Sequence, residues 1–146
     1  MRAHTVAVVA LGALLATGCS SVSPLPITAA DICFNCRRPI SDPSVAGEVI
    51  TEARQALKFK STACMVRWLK ENPEAASTAR AFYVTDWTTG RIIRATSATF
   101  VPFVMVEGYK KTPDYIAFHA PENAAAAAAE HKSTPIKWKQ VLEQAE

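Results

Sequence analysis

The sequence lacks the motifs on which most enzymes and nucleic-acid-binding proteins depend. Only five of its 146 residues are glycine, and none of them belongs to a phosphate-binding loop. Its three histidines form no Ser-His-Asp arrangement with a nucleophile elbow. Basic residues are scattered, apart from the pairs Arg37-Arg38 and Lys110-Lys111, so there is no basic stripe for nucleic acid. We therefore expect neither an enzyme nor a nucleic-acid-binding protein.

Long apolar runs are also missing, except at the start of the chain. A basic start, Met1–His4, precedes the short apolar run Thr5–Leu15, which is the layout of a secretory signal peptide. A membrane-spanning helix needs about 20 apolar residues, more than this run supplies. The run ends in Ala16-Thr17-Gly18-Cys19, which resembles a lipobox, although Leu15 stands one residue earlier than is usual. We predict a signal peptide over residues 1–18 and a lipid on Cys19, the alternative being an ordinary signal peptide cut nearby.

These features predict a lipid-anchored protein of the cell envelope that faces the periplasm or the exterior. Residues 19–30 contain the Ser/Pro-rich stretch Ser20–Pro26 and are predicted to be a lipidated tether. Residues 31–146 suffice for one hydrophobic core. Removing the signal peptide takes away only Arg2 and leaves 15 basic residues against 13 acidic ones, so the exported part is near neutral.

Hydrophobic periodicity predicts a small α+β domain with two or three helices. Ser61 or Thr62 can cap a helix that runs to about Lys70 and stops at Asn72-Pro73, and an alanine-rich helix is predicted from Pro121 to about Lys132. Strands are predicted at residues 47–51, 56–60, 81–87, 91–95, 100–106, 115–119 and 135–137, and a last helix covers Trp138–Gln144.

With Cys19 assigned to a lipid, three cysteines remain: Cys33, Cys36 and Cys64. The Cys-x-x-Cys spacing is typical of a turn, and it has three uses outside the cytoplasm: a disulfide, thiol redox chemistry or metal binding. Redox motifs favour a helix after the first cysteine, whereas Pro39 and strands follow here. Zinc usually takes four ligands, but copper(I) is satisfied by a smaller set of soft sulfurs. A structural disulfide and a metal site both stay open.

If a metal is bound, Cys33 and Cys36 are the expected primary ligands and Cys64 the next. Met65, Met105 and His119 are possible further donors. Each also has a structural interpretation: Cys64 and Met65 as core residues of the predicted helix, Met105 as part of an apolar strand, and His119 as the end of a strand.

In order along the chain, five elements resemble the NosL family, the accessory lipoproteins of nitrous oxide reductase. These elements are Cys33-Phe34-Asn35-Cys36, Phe59 with Cys64-Met65, Tyr83-Val84-Thr85-Asp86, Thr112-Pro113 and Ala117-Phe118. The likeness covers about residues 31–142. It implies a periplasmic copper(I)-binding chaperone with an α+β fold akin to the organomercurial lyase core.

This sequence departs from the family at two soft donors. The family's Gly-Met after the second cysteine is Arg37-Arg38, and its Met after Thr-Pro is Asp114. The resulting hypothesis is a membrane-anchored copper(I)-binding accessory protein that assists a cuproenzyme of the nitrous oxide reductase type or a copper-transport protein. The alternative is an envelope interaction module with a structural disulfide, Cys33–Cys36 or Cys36–Cys64. A cysteine-based bond-cleaving site that includes Asp86 is a third, enzymatic reading.

Overall fold

The computed structural model describes residues 22–144, so the predicted signal peptide and Cys19 lie outside the described residues. Short 3-10 helices lie at Pro43–Val45 and Ala95–Ser97. The strands are β1 (Gly47–Ile50), β2 (Ala56–Phe59), β3 (Ala81–Thr85), β4 (Ile92–Arg94), β5 (Thr99–Glu107), β6 (Lys110–Phe118) and β7 (Ile136–Lys137); the helices are α1 (Thr62–Glu71), α2 (Pro73–Thr78), α3 (Pro121–Glu130) and α4 (Trp138–Gln144).

The strands form two antiparallel sheets, which confirms the predicted α+β class. One sheet has the order β2-β1-β3-β4 and the other the order β6-β5-β7. The predicted β1–β2 pair is present, with Glu48 opposite Lys58. The predicted β3–β4 hairpin is also present, and Gly90 in its turn has φ +70°, which glycine adopts without steric cost.

The hairpin of β5 and β6 is longer than the sequence predicted. Nine residue pairs join the two strands, from Thr99 opposite Phe118 to Glu107 opposite Lys110. The prediction started β6 at Tyr115 because Lys110–Asp114 shows no apolar alternation. Pro113 lies within β6, which is at the edge of its sheet, where a missing N–H is tolerated.

Helix α1 packs its apolar side on the four-stranded sheet. The Ser61 hydroxyl accepts a hydrogen bond from the backbone N–H of Cys64 at 3.2 Å, which confirms the predicted N-cap. Val66 and Leu69 then pack in a core with Val49 and Phe59. The predicted stop after Glu71 is confirmed, but Pro73 immediately opens a second helix, α2, which the sequence analysis missed.

Helix α3 is the predicted alanine-rich helix, and it covers the second sheet. Ala124 and Ala128 are buried against Val101, Ile116 and Phe118. Because alanine has the smallest apolar side chain that retains a Cβ, the helix axis can approach the strands closely. The two cores hold the β5–β6 hairpin beside the first turn of α1, and this placement builds the site.

Part of the predicted tether lies on the outer face of the four-stranded sheet instead of extending away from it. The Leu25 N–H donates to Glu48 Oε1 at 3.0 Å, and Lys58 Nζ donates to the carbonyl of Pro26 at 2.6 Å. The Tyr83 hydroxyl donates to the carbonyl of Val22. Residues of the predicted tether from Val22 to Pro26 therefore contact the sheet ahead of Asp31, where the domain was predicted to begin. In the described part, no helix has the length and apolarity to cross a membrane.

Candidate metal centre

The Cys-x-x-Cys segment forms the tight turn that its sequence predicted. The Cys33 N–H donates to the carbonyl of Arg38 at 2.8 Å, and the Arg37 N–H donates to the carbonyl of Cys33 at 3.0 Å. Arg37 takes a positive φ of 59° in this turn. Phe34 fixes the turn to the domain, because its N–H donates to the carbonyl of Lys58 and its ring meets the ring of Trp68 edge-on.

Cys64 reaches the same place from the first turn of α1. Its sulfur lies 3.4 Å from the sulfur of Cys33, although 31 residues separate them in the sequence. The sulfurs of Cys33, Cys36 and Cys64 all lie within 4.8 Å of one another. Cys33 and Cys64 are buried, whereas Cys36 is partly exposed, and all three are free thiols. Three of the predicted ligands are therefore brought together.

The two buried cysteines share a proton unequally. The pKa of Cys33 is lowered to about 5, and the largest cause is the hydrogen bond that the Cys64 thiol donates to it. Burial acts in the opposite direction, and hydrogen bonds from the backbone amides of Cys36 and Lys60 lower the pKa further. The same hydrogen bond and burial raise the pKa of Cys64. At neutral pH the pair is therefore one thiolate and one thiol. A thiolate is the form that binds soft metals.

The spacing of the sulfurs suits a low-coordinate soft ion. An ion about 2.3 Å from each of three coplanar sulfurs needs sulfurs about 4.0 Å apart. The sulfurs of Cys33 and Cys64 are 3.4 Å apart, and no two of the three sulfurs are more than 4.8 Å apart. Small rotations of the cysteine side chains therefore bring all three to that spacing. Among the described residues, no histidine or carboxylate joins this group, so the four-ligand set that zinc usually takes is not assembled. The donor set of three sulfurs fits a soft metal ion, the class to which copper belongs in its lower oxidation state.

Met65 and Met105 occupy different surroundings. Met65 is fully buried in the core, where its sulfur lies so close to Gly47 that a Cβ added there would be 2.9 Å away. The structure thus gives Met65 the packing role and does not place it in the pocket lining. Met105 on β5 lines the pocket together with Cys36 and Cys64.

His119 is not brought to the cysteines, and neither is Asp86. His119 is exposed after β6, and its backbone N–H donates to Asp86 Oδ1 at 3.1 Å. The other oxygen of Asp86 accepts from the hydroxyl of Thr89 at 2.5 Å. The structure therefore does not place His119 in the three-cysteine group, and its predicted donor role stays a prediction. Asp86 ties the β3–β4 turn to the end of β6, so the bond-cleaving site that includes it is not assembled.

Asp114 is a residue of the site that the sequence analysis noted only as a departure from the family. Its Oδ1 accepts hydrogen bonds from the N–H groups of Ala63 at 3.0 Å and Tyr115 at 2.8 Å. A further hydrogen bond joins it to Ser61, and burial raises its pKa. Asp114 therefore holds the start of α1, from which Cys64 projects. An acidic residue between Pro113 and the apolar run Tyr115–Phe118 was the one signal in the sequence.

Asn35 is a second residue that sequence reasoning missed. Its side-chain amide donates to the carbonyl of Cys64 at 3.3 Å and approaches the sulfur of Cys64 at 3.7 Å. The residue between the two motif cysteines thus connects their turn to α1. Its only signal was its position inside the motif.

A pocket of about 100 Å³ opens beside the cysteines. Cys36, Cys64, Met105 and Asp114 lie in its wall, so the partly exposed sulfur of Cys36 faces a space that an ion and a partner's side chain can enter. Arg38, which stands where the family has a methionine, also lines it and pairs with Glu107 at 3.3 Å.

The sequence model of the NosL family matches residues 24–145. The chain belongs to the NosL family. A solved structure with the same fold is the crystal structure of the copper chaperone NosL from Shewanella denitrificans, with a TM-score of 0.72 and 20% sequence identity over 86% of this chain and 99% of that chain. Comparison with curated proteins gave no match. The predicted family and fold of this NosL-family chain are thus confirmed.

Proposed function

We propose that this protein is a copper(I)-binding chaperone that holds its cargo on Cys33, Cys36 and Cys64. The observation that carries the proposal is the convergence of three sulfurs within 4.8 Å of one another beside an open pocket. Membership of the NosL family and the fold shared with a protein described as a copper chaperone support it. The two methionines of the family are absent, so the three thiols are the main soft donors, with Met105 as a further soft donor in the pocket wall.

The three sulfurs suggest an order of events. Cys36 is the partly exposed sulfur and lies in the pocket wall, so it meets an incoming copper(I) ion first. Cys33 is buried, and its lowered pKa makes it the thiolate that binds next. Cys64 then loses its proton as it joins, because metal binding favours the thiolate. Transfer runs in reverse: a soft ligand of the partner displaces Cys36, and Cys64 is reprotonated.

The destination of the copper is part of the same proposal. Ala16-Thr17-Gly18-Cys19 supports attachment to a membrane by a lipid on Cys19, on the periplasmic or outer side. The family likeness supports a client such as a cuproenzyme of the nitrous oxide reductase type, or a copper-transport protein. The protein itself needs no catalytic residue for this task.

The test is a copper(I) titration of the reduced mature chain in competition with a strong copper(I) chelator, in a Cys19→Ser background so that this thiol does not contribute. We expect the Cys33→Ser/Cys36→Ser variant to lose affinity by several hundred-fold or more, because two thiolate donors are removed. Met65→Leu serves as the matched control and should bind as the wild type does, because that sulfur packs against Gly47. Equal and weak binding by wild type and the double variant would refute the chaperone function.

A further inference from the structure

The opening of the cysteine pocket carries a concentration of positive charge. The pocket lining contains four basic and two acidic side chains: Arg38, Lys60, Arg67, Lys110, Glu107 and Asp114. The four basic residues, here called the basic rim, come from the Cys-x-x-Cys turn, the end of β2, α1 and β6. The whole chain has 16 basic and 13 acidic residues, so the rim gathers a quarter of its basic residues at one opening.

The two carboxylates do not neutralise this rim. Glu107 is shared between Lys60 at 2.6 Å and Arg38 at 3.3 Å. Asp114 is buried, its Oδ1 accepts from the backbone N–H groups of Ala63 and Tyr115, and in the part of the chain that the structure describes it forms no salt bridge with the rim. Arg67 and Lys110 are exposed, and within residues 22–144 neither forms a salt bridge.

We propose that the basic rim is the docking surface for a partner protein that presents acidic side chains around its own soft copper ligand. This inference rests on the proposed function, since it names the kind of partner that exchanges copper with these cysteines. Cys36 is the partly exposed sulfur of the three and lies in the same pocket wall as the rim, so a partner's ligand must pass the rim to reach it. The pocket of about 100 Å³ admits a single side chain.

Charge complementarity of this kind acts mainly on encounter and orientation. A rim of one sign raises the association rate of an oppositely charged partner by about 10- to 1,000-fold at low salt.

The rim has a second physical consequence that the test must separate from docking. Positive charges can also change the rate at which Cys36 reacts with any thiol reagent, whatever the charge of that reagent. A docking role, by contrast, changes the reaction with acidic partners only. The ratio of the rates for an acidic and a neutral partner therefore reports docking alone.

The experiment uses copper-free mature chain with Cys19→Ser and two synthetic peptides. Each peptide carries one cysteine as a pyridyl disulfide, flanked by four Asp residues in one peptide and four Asn residues in the other. The Cys36 thiolate attacks the peptide sulfur, the peptide–pyridyl S–S bond breaks, a Cys36–peptide disulfide forms, and pyridine-2-thiolate leaves and takes a proton from water. Its absorbance gives the rate, and a Cys36→Ser variant identifies the attacking sulfur.

We expect the acidic peptide to react about tenfold faster than the neutral one at low salt. The advantage should largely disappear near 1 M salt, where the screening length falls to about 3 Å. It should also fall several-fold in Arg67→Gln/Lys110→Gln but persist in Lys132→Gln/Lys139→Gln, which removes two exposed lysines outside the pocket lining.

Equal rates for the two peptides would overturn the inference, and so would an advantage that survives the Arg67→Gln/Lys110→Gln change. If iodoacetate outpaces iodoacetamide at Cys36 but the peptides react equally, the rim selects small anions and protein docking is refuted. None of these readouts contains copper, so failure of the copper titration and failure of the docking surface are distinguishable.

Discussion

The hydrogen bond between Cys33 and Cys64 leads to a quantitative prediction about the Cys33 thiolate. The two sulfurs are 3.4 Å apart, and this contact is the largest cause of the low pKa of Cys33, about 5 against an ordinary 9.0. A hydrogen bond to a charged group contributes about 1.5–3 kcal/mol. At about 1.4 kcal/mol per pKa unit, Cys64→Ala should raise the pKa of Cys33 by about one to two units.

The assay is the ultraviolet absorbance of the thiolate followed against pH, with Cys19→Ser and Cys36→Ala in the background so that the low-pH titration reports Cys33. Without the Cys64 change, the absorbance should be half-developed near pH 5. Cys64→Ser is the matched control, because its hydroxyl can still donate to Cys33 and should leave most of the shift in place. If Cys64→Ala titrates at the same pH as its parent, the thiol–thiolate pair is not what ionises Cys33, and the reasoning about the order of copper binding fails with it.

Three further predictions concern the scaffold. Gly47→Ala should lower the free energy of unfolding, measured by denaturant titration, by about 1–3 kcal/mol, because the new Cβ would lie 2.9 Å from the sulfur of Met65. An unchanged denaturation midpoint would contradict this packing. Burial raises the pKa of Glu48, so the protein is most stable when Glu48 is protonated at low pH and loses stability as pH rises through the raised pKa. Glu48→Gln should remove this loss of stability. Parallel curves of unfolding free energy against pH for the two proteins would contradict the prediction. Tyr83→Phe removes the hydroxyl that donates to the carbonyl of Val22 and should weaken the attachment of residues 22–27 by about 1 kcal/mol. Amide hydrogen exchange over residues 22–27 should become faster, and unchanged exchange would contradict the prediction.

The elements that the sequence predicted well depend on local physics. Ser61 caps α1 because its hydroxyl is in reach of the next turn's backbone, and Gly90 closes the β3–β4 hairpin because it tolerates a positive φ. The Cys-x-x-Cys turn is local in the same way. The first half of β6 was missed because Lys110–Asp114 has no pattern of its own and becomes a strand only by pairing with β5.

The sequence alone predicted the α+β class, the Cys-x-x-Cys turn and the likeness to the NosL family. Each of these depends on residues close together in the chain or on the order of residues along it. The tertiary structure alone decided which distant side chains meet. It brings Cys64 to Cys33 across 31 residues, yet sends the adjacent Met65 into the core, since neighbouring residues on a helix point about 100° apart. It also places Asp114 at the start of α1 and leaves His119 outside, because packing of α1 against the β5–β6 hairpin, and not position in the chain, determines what surrounds the three sulfurs.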